Sequence, residues 1–128
     1  MFDYTVTSHH NLDHVMTQLK QALSEASFGV LWEFDLAKKF EEKELSFAEN
    51  YHILEVCQPK EAHRVVSHDL RAGYFLPCKI VVYTEDGQTK IGMPKPTALM
   101  DLADETALKT VAEEVEHTLR HVIDQAAQ

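Results

Sequence analysis

The chain is poor in several residue types. Its 128 residues include two cysteines, four glycines, four prolines and one tryptophan. Few Gly and Pro, with 45% hydrophobic and 26% charged residues, make an ordinary globular composition. Basic residues are scarce. Twelve Lys and Arg against 21 Asp and Glu leave a formal charge of −9. That balance argues against binding nucleic-acid phosphate, which needs clustered cations, and against docking on an anionic membrane. No apolar run approaches the roughly 20 residues of a membrane span. The opening "MFDYTVTSHH" has neither a basic start nor a continuous apolar core, so no signal peptide is read. A cytoplasmic location follows as the expectation, with both thiols reduced. Gly-rich phosphate loops, a nucleophile elbow, a dinucleotide fingerprint and a His-Glu-x-x-His motif are all missing. So are internal repeats, low-complexity tracts and linkers, and residues 1–128 read as one domain.

What is present is a regular alternation of patterns. "FDYTVT" alternates Phe2, Tyr4 and Val6 with polar residues, as a half-buried strand does. Ser8 or Asn11 can cap the following helix, whose Leu12, Val15, Met16, Leu19, Leu23 and Ala26 fall at helical spacing. Gly29 opens a second strand, "GVLWEFD", where that helix stops. A short helix is predicted over Leu36–Leu45, then a loop at Ser46–Asn50. "YHILEVC" reads as a third strand, and Pro59 suits the first turn of a helix running to about Leu70. "YFLPCKIVVYTEDGQTKIGM" reads as two strands around the hairpin signal Asp86-Gly87. "PKPTALMDLAD" reads as a loop with at most one helical turn. A last helix runs from Glu105 to about Ala126, with a stripe of Leu108, Val111, Ala112, Val115, Leu119, Val122 and Ile123.

Strands alternating with helices and then a hairpin predict an α+β fold, a two-layer sandwich with helices packed on one mixed β-sheet. Ile53–Val56 and Ile80–Tyr83 carry apolar residues on both faces. If helices cover only one face, a homodimer is the simplest cover for the other.

The segments "FGVLWEFDL", "YHILEVCQPKEAHRVV", "GYFLPCKIVVY" and "PKPTALM", with a closing amphipathic helix, resemble the domain of unknown function 302 family. The resemblance runs in order over most of the chain, and Cys-x-Pro and Leu-Pro-Cys are its most specific parts. It implies a compact two-layer α+β domain whose members tend to form homodimers, and it carries no activity. It places Cys57, Pro59, Leu76, Pro77 and Cys78 at family-typical positions. Gln58, Lys79 and Trp32 stand where the family more often has other residues.

The two thiols are the main chemical candidates. Cys57 ends a strand and Pro59 opens a helix, so the helix dipole and free N–H groups are expected to lower the Cys57 pKa. His63, one turn further, is a candidate base or metal ligand. The site candidates are therefore Cys57, Cys78, His63, Pro59 and Pro77, either as a reactive-thiol site or as a soft metal site. The competing reading is structural, because free cysteine often acts as a small buried hydrophobe. Alternation adds a constraint. If Glu55 pairs with Lys79, the thiols point to opposite sheet faces and no disulfide can form. A bulge at Pro77 is one way to re-aim Cys78.

The remaining clusters have plain readings. His10 with His14 and His117 with His121 are spaced i, i+4, on polar helix faces where solvated histidines are expected. Glu33, Asp35 and Glu55 are a candidate carboxylate cluster if their strands adjoin, although Asp35 also suits an N-cap. Trp32 and Phe34 suit a core, an interface or a pocket wall. "EEKE" and "DLADE" read as solvated charge.

No complete catalytic constellation can be assembled. The expected function is a non-catalytic dimeric module binding a small molecule, a metal or a protein partner, with no cofactor named. The alternatives are a thiol-dependent enzyme or redox sensor using Cys57, with Cys78 or His63, and a purely structural interaction protein.

Overall fold

The computed structural model describes residues 1–103 and 106–128. Its strands are β1 (Asp3–Ser8), β2 (Gly29–Asp35), β3 (Tyr51–Cys57), β4 (Cys78–Glu85) and β5 (Gln88–Pro94). The helices are α1 (Leu12–Glu25), α2 (Leu36–Glu42), α3 (Pro59–His68), α4 (Pro96–Ala103) and α5 (Thr106–Ala127), with a 3-10 helix at Leu70–Phe75. The fold is α+β, as the pattern predicts.

The sheet order is β1-β5-β4-β3-β2, and every neighbouring pair is antiparallel. This corrects the expectation of a mixed sheet. The helical connection α1 joins β1 to β2, which run in the same direction. They lie at opposite edges of the sheet rather than side by side, so no parallel ladder forms. At the β4–β5 hairpin Asp86 and Gly87 have φ of 53° and 82°, the positive values that a two-residue primed turn requires.

Local chemistry explains most boundaries. Asn11 caps α1 by accepting from the His14 N–H. The end of α1 is set by Ser27 rather than Gly29. Ser27 takes the left-handed conformation, its N–H donates to the Ser24 carbonyl, and the Phe28 N–H reaches back to the Leu23 carbonyl. Gln58 caps α3 by accepting from the Glu61 N–H, with Pro59 in the first turn as expected. Helix α2 stops at Glu42, short of Leu45. "PKPTALMDLAD", expected as a loop with one helical turn, instead holds the eight-residue helix α4, with Pro96 as its first residue. The expected start of the last helix at Glu105, and the acids Asp104 and Glu105, lie outside the described residues.

Two apolar clusters hold the fold. The larger packs α1 and the C-terminal half of α5 on one sheet face, joining Leu19, Leu23, Leu54, Ile80, Ile91 and Leu119. The smaller gathers Val65, Ala72, Met100, Leu108, Val111 and Ala112 from α3, the 3-10 helix, α4 and the N-terminal half of α5. At 22 residues α5 spans about 33 Å, and Val115 touches both clusters.

A buried carboxylate fastens α4 to α5. Glu116, only 9% exposed, accepts from the Thr97 N–H (3.1 Å) and the Thr97 hydroxyl (2.6 Å) at the start of α4, and from Arg120 (3.1 Å). Burial acts to raise its pKa. The Thr97 and Arg120 interactions outweigh it and hold the carboxyl below its ordinary value. Arg120 also lies over the Tyr4 ring at 4.5 Å, and the Tyr4 hydroxyl donates to Asp124 (2.6 Å), tying β1 to the same helix.

Candidate ligand-binding site

The two apolar clusters meet without filling the space between them. A cavity of about 380 Å³ lies at this seam, beyond the end of the sheet that β3 leaves and β4 enters. Its walls are the sheet end, α3, the 3-10 helix, α4 and α5.

The register explains why both thiols reach it. Val56 faces Cys78 and Glu55 faces Lys79 across the antiparallel β3–β4 pair. Antiparallel pairing therefore sets the end of one cysteine-bearing strand beside the start of the other. Alternation sends Cys57 toward the Glu55 face and Cys78 toward the face of Ile80 and Val82. Both nevertheless line the cavity, because it opens at the sheet end, where side chains from either face border it. Both cysteines are free thiols. The Leu76–Pro77 peptide preceding Cys78 is cis, and both of these residues line the cavity too.

The expected lowering of the Cys57 pKa is not found. Burial pushes the Cys57 thiol above its ordinary value. Burial, and then the neighbouring Cys57, push Cys78 up to about 11. At the α3 start Pro59 brings no N–H, and the Gln58 side chain takes the N–H of Glu61, so desolvation dominates at Cys57. Both thiols are protonated, apolar-like wall groups at neutral pH.

Of the five candidates, Cys57, Cys78 and Pro77 line the cavity. Pro59 shapes the turn into α3 and is not among the lining residues. His63 is exposed on α3 and outside the cavity wall, so it does not join the thiols. Among the described residues no three His, Cys, Asp or Glu side chains gather as a metal-holding group. The carboxylates Glu33, Asp35 and Glu55 are also apart in role. Glu33 pairs with Lys20 at 3.0 Å, Asp35 caps α2 through the Lys38 N–H, and Glu55 borders the cavity. Both i, i+4 histidine pairs are exposed. Trp32 and Phe34 stack at 5.1 Å, away from the cavity.

Sequence reasoning missed the cavity's far wall. Met93, Leu99, Met100, Leu108 and Val111 come from the end of β5, α4 and the start of α5. The available signal was Pro96, which opens a helix as readily as it punctuates a loop, and with α4 formed its apolar residues face α5.

An antiparallel α+β sheet whose end opens on an apolar, thiol-bordered cavity defines the class of protein. The chain belongs to the family described as Domain of unknown function DUF302, whose model matches residues 4–126. It is similar to an uncharacterized conserved protein DUF302 from Bacillus stearothermophilus, known as a crystal structure, with 45% sequence identity and a TM-score of 0.96. That match covers 100% of this chain and 99% of the other. No curated protein matches the chain. Among the described residues no helix is long and apolar enough to cross a membrane.

Proposed function

We propose that this protein is a non-catalytic, single-domain module that binds a small molecule in the cavity at its sheet end, and that it works as a homodimer in the cytoplasm. The cavity carries the reading. Well-packed interiors keep few voids larger than a water, whereas about 380 Å³ lies within the range of small-molecule sites. Its walls are mostly apolar, with a few polar groups among them, the usual composition of such sites. The competing reading, a thiol enzyme or redox sensor using Cys57, asks for a thiolate at neutral pH, and burial works against one.

Thermal melting against a panel of neutral molecules of about ten to twelve non-hydrogen atoms tests the binding. At least one is expected to raise Tm, since a ligand at 100 times its Kd adds about 2.7 kcal/mol of stability. Ala62 is half-buried on α3 and lines the cavity. Ala62→Phe places a ring in that space and is expected to abolish the rise while the far-ultraviolet circular dichroism stays unchanged. An equal rise in that variant would place the ligand elsewhere.

The dimer rests on exposed surface. The chain's 7759 Å² exceeds by roughly 850 Å² the area that size scaling gives a monomer of 14.6 kDa. A standard interface covers about 800 Å² per partner. The sheet face opposite α1 and α5 presents Trp32, Phe34, Tyr51, Ile53, Val81 and Tyr83, with Trp32 48% exposed. Glu55 and Lys79 stand side by side on that face, so two copies about a twofold axis can match opposite charges. Val81→Glu is expected to convert a dimer to a monomer in sedimentation equilibrium. A monomeric parent protein at tens of micromolar would contradict the dimer.

A further inference from the structure

The chain contains two cysteines and four methionines. Four of these six sulfur side chains, Cys57, Cys78, Met93 and Met100, line this cavity, together with the rings of Phe28 and Phe75. Sulfur is polarizable and packs favourably at the edges of aromatic rings, and Phe rings favour offset or edge-on contact with another ring. The wall is therefore tuned to a polarizable, flat guest more than to an alkyl chain.

Charge narrows the class further. The charged wall residues are two carboxylates, Glu55 and Glu61, and one ammonium, Lys79. Lys79 faces Glu55 in register, and Glu61 is paired with Arg64 at 3.4 Å. An entering carboxylate would meet two acids for one lysine and lose its hydration in an apolar space. Every buried side-chain nitrogen and oxygen among the described residues already has a hydrogen-bond partner, so the interior asks for no polar group from a guest. Size closes the argument, because about 380 Å³ holds on the order of a dozen non-hydrogen atoms at the roughly 30 Å³ of a water molecule.

We infer that the cavity takes an uncharged aromatic molecule of about ten to twelve non-hydrogen atoms, the size of a fused two-ring compound. This rests on the small-molecule reading above and names the ligand class for that same site. Bound there, the guest lies between the sheet end and α4, in contact with Met93 and Met100.

Methyl-labelled methionine makes the test direct. Met93 and Met100 line the cavity, whereas Met16 is buried outside its wall and Met1 is exposed, so the chain carries its own controls. Titration with 1-naphthol is expected to shift the Met93 and Met100 methyl signals saturably and leave those of Met1 and Met16 in place. Its affinity is expected to exceed by about tenfold that of 1-naphthoate and of an aliphatic alcohol with the same number of non-hydrogen atoms. The double variant Met93→Leu, Met100→Leu preserves volume and is expected to bind the aliphatic alcohol as before, losing most of the preference for the aromatic one. Tighter or equal binding of the aliphatic alcohol or of 1-naphthoate by the parent protein would overturn this inference and leave the cavity reading standing. If none of the three moved either methyl signal, both would fall.

Discussion

A Glu116→Ala variant is expected to unfold about 3 kcal/mol more readily than the parent at pH 7, measured by urea denaturation at fixed protein concentration. The substitution leaves the Thr97 N–H and hydroxyl and the Arg120 guanidinium without the carboxylate they share. The buried position makes each loss costly, because water cannot fully replace the acceptor. Glu116→Gln keeps an acceptor for Thr97 and loses the charge facing Arg120, so it is expected to fall between the two. The pH dependence follows from the lowered pKa. A carboxyl whose folded pKa lies below its unfolded value contributes stability that is fully present above the unfolded value. That contribution is lost as pH falls through the folded one. The parent should therefore lose stability more steeply than Glu116→Ala below about pH 4.3, the ordinary glutamate value. Parallel acid profiles for the two proteins would show that the carboxylate carries no such role. The consequence reaches the cavity, since α4 supplies Leu99 and Met100 to its wall.

Leu54→Ala should cost about 2–5 kcal/mol, the range for truncating a fully buried leucine. Leu54 is 0% exposed on β3, pairs with Ile80 on β4 and packs under the helical layer. Its neighbour Ile53 points to the opposite face and is only partly buried. Ile53→Ala should cost the folded protomer less than about 1 kcal/mol, because far less area is lost from a packed environment. In the proposed homodimer its main effect should fall on self-association, read by sedimentation. Equal costs for the two substitutions would contradict a sheet with one covered and one open face.

The sequence carried the local structure well where one side chain decides it. Asp86-Gly87 marks its own hairpin, Pro59 its helix start and Asp35 its cap, because each acts through backbone geometry within a few residues. The α5 stripe was equally legible, since Leu108 through Ile123 repeat at helical spacing whatever they pack against. Other features depend on partners far away in the chain. Helix α4 is held by Glu116, nineteen residues beyond Thr97, and nothing in "PKPTALM" announces that acceptor. Ser27 ends α1 in a conformation more often given to glycine, and nearby Gly29 drew the reading instead. Strand order is not local either: alternating strands and helices predict a mixed sheet, whereas β1 and β2 lie four positions apart.

The site was half legible for the same reason. Cys57, Pro77 and Cys78 stand out as rare residues at strand ends, and the register Glu55 to Lys79 was the correct condition to pose. At Cys57 the helix dipole is a local influence, and burial outweighs it. The apolar walls that bury it come from segments distant in sequence. His63 follows the helix outward to solvent. Met100 belongs to the site only because α4 folds back over the sheet end, where Met93 already stands at the close of β5.

The claim beneath this account is that the cavity is a binding space bordered by protonated thiols, not a reactive centre. The pH dependence of iodoacetamide alkylation of Cys57, followed by intact mass in a Cys78→Ser variant, tests it most directly. The rate is expected to be slow at pH 7 and still climbing beyond pH 9, as a thiol raised by burial requires. A rate that has reached its plateau by pH 7 would reveal a stable thiolate and contradict the account.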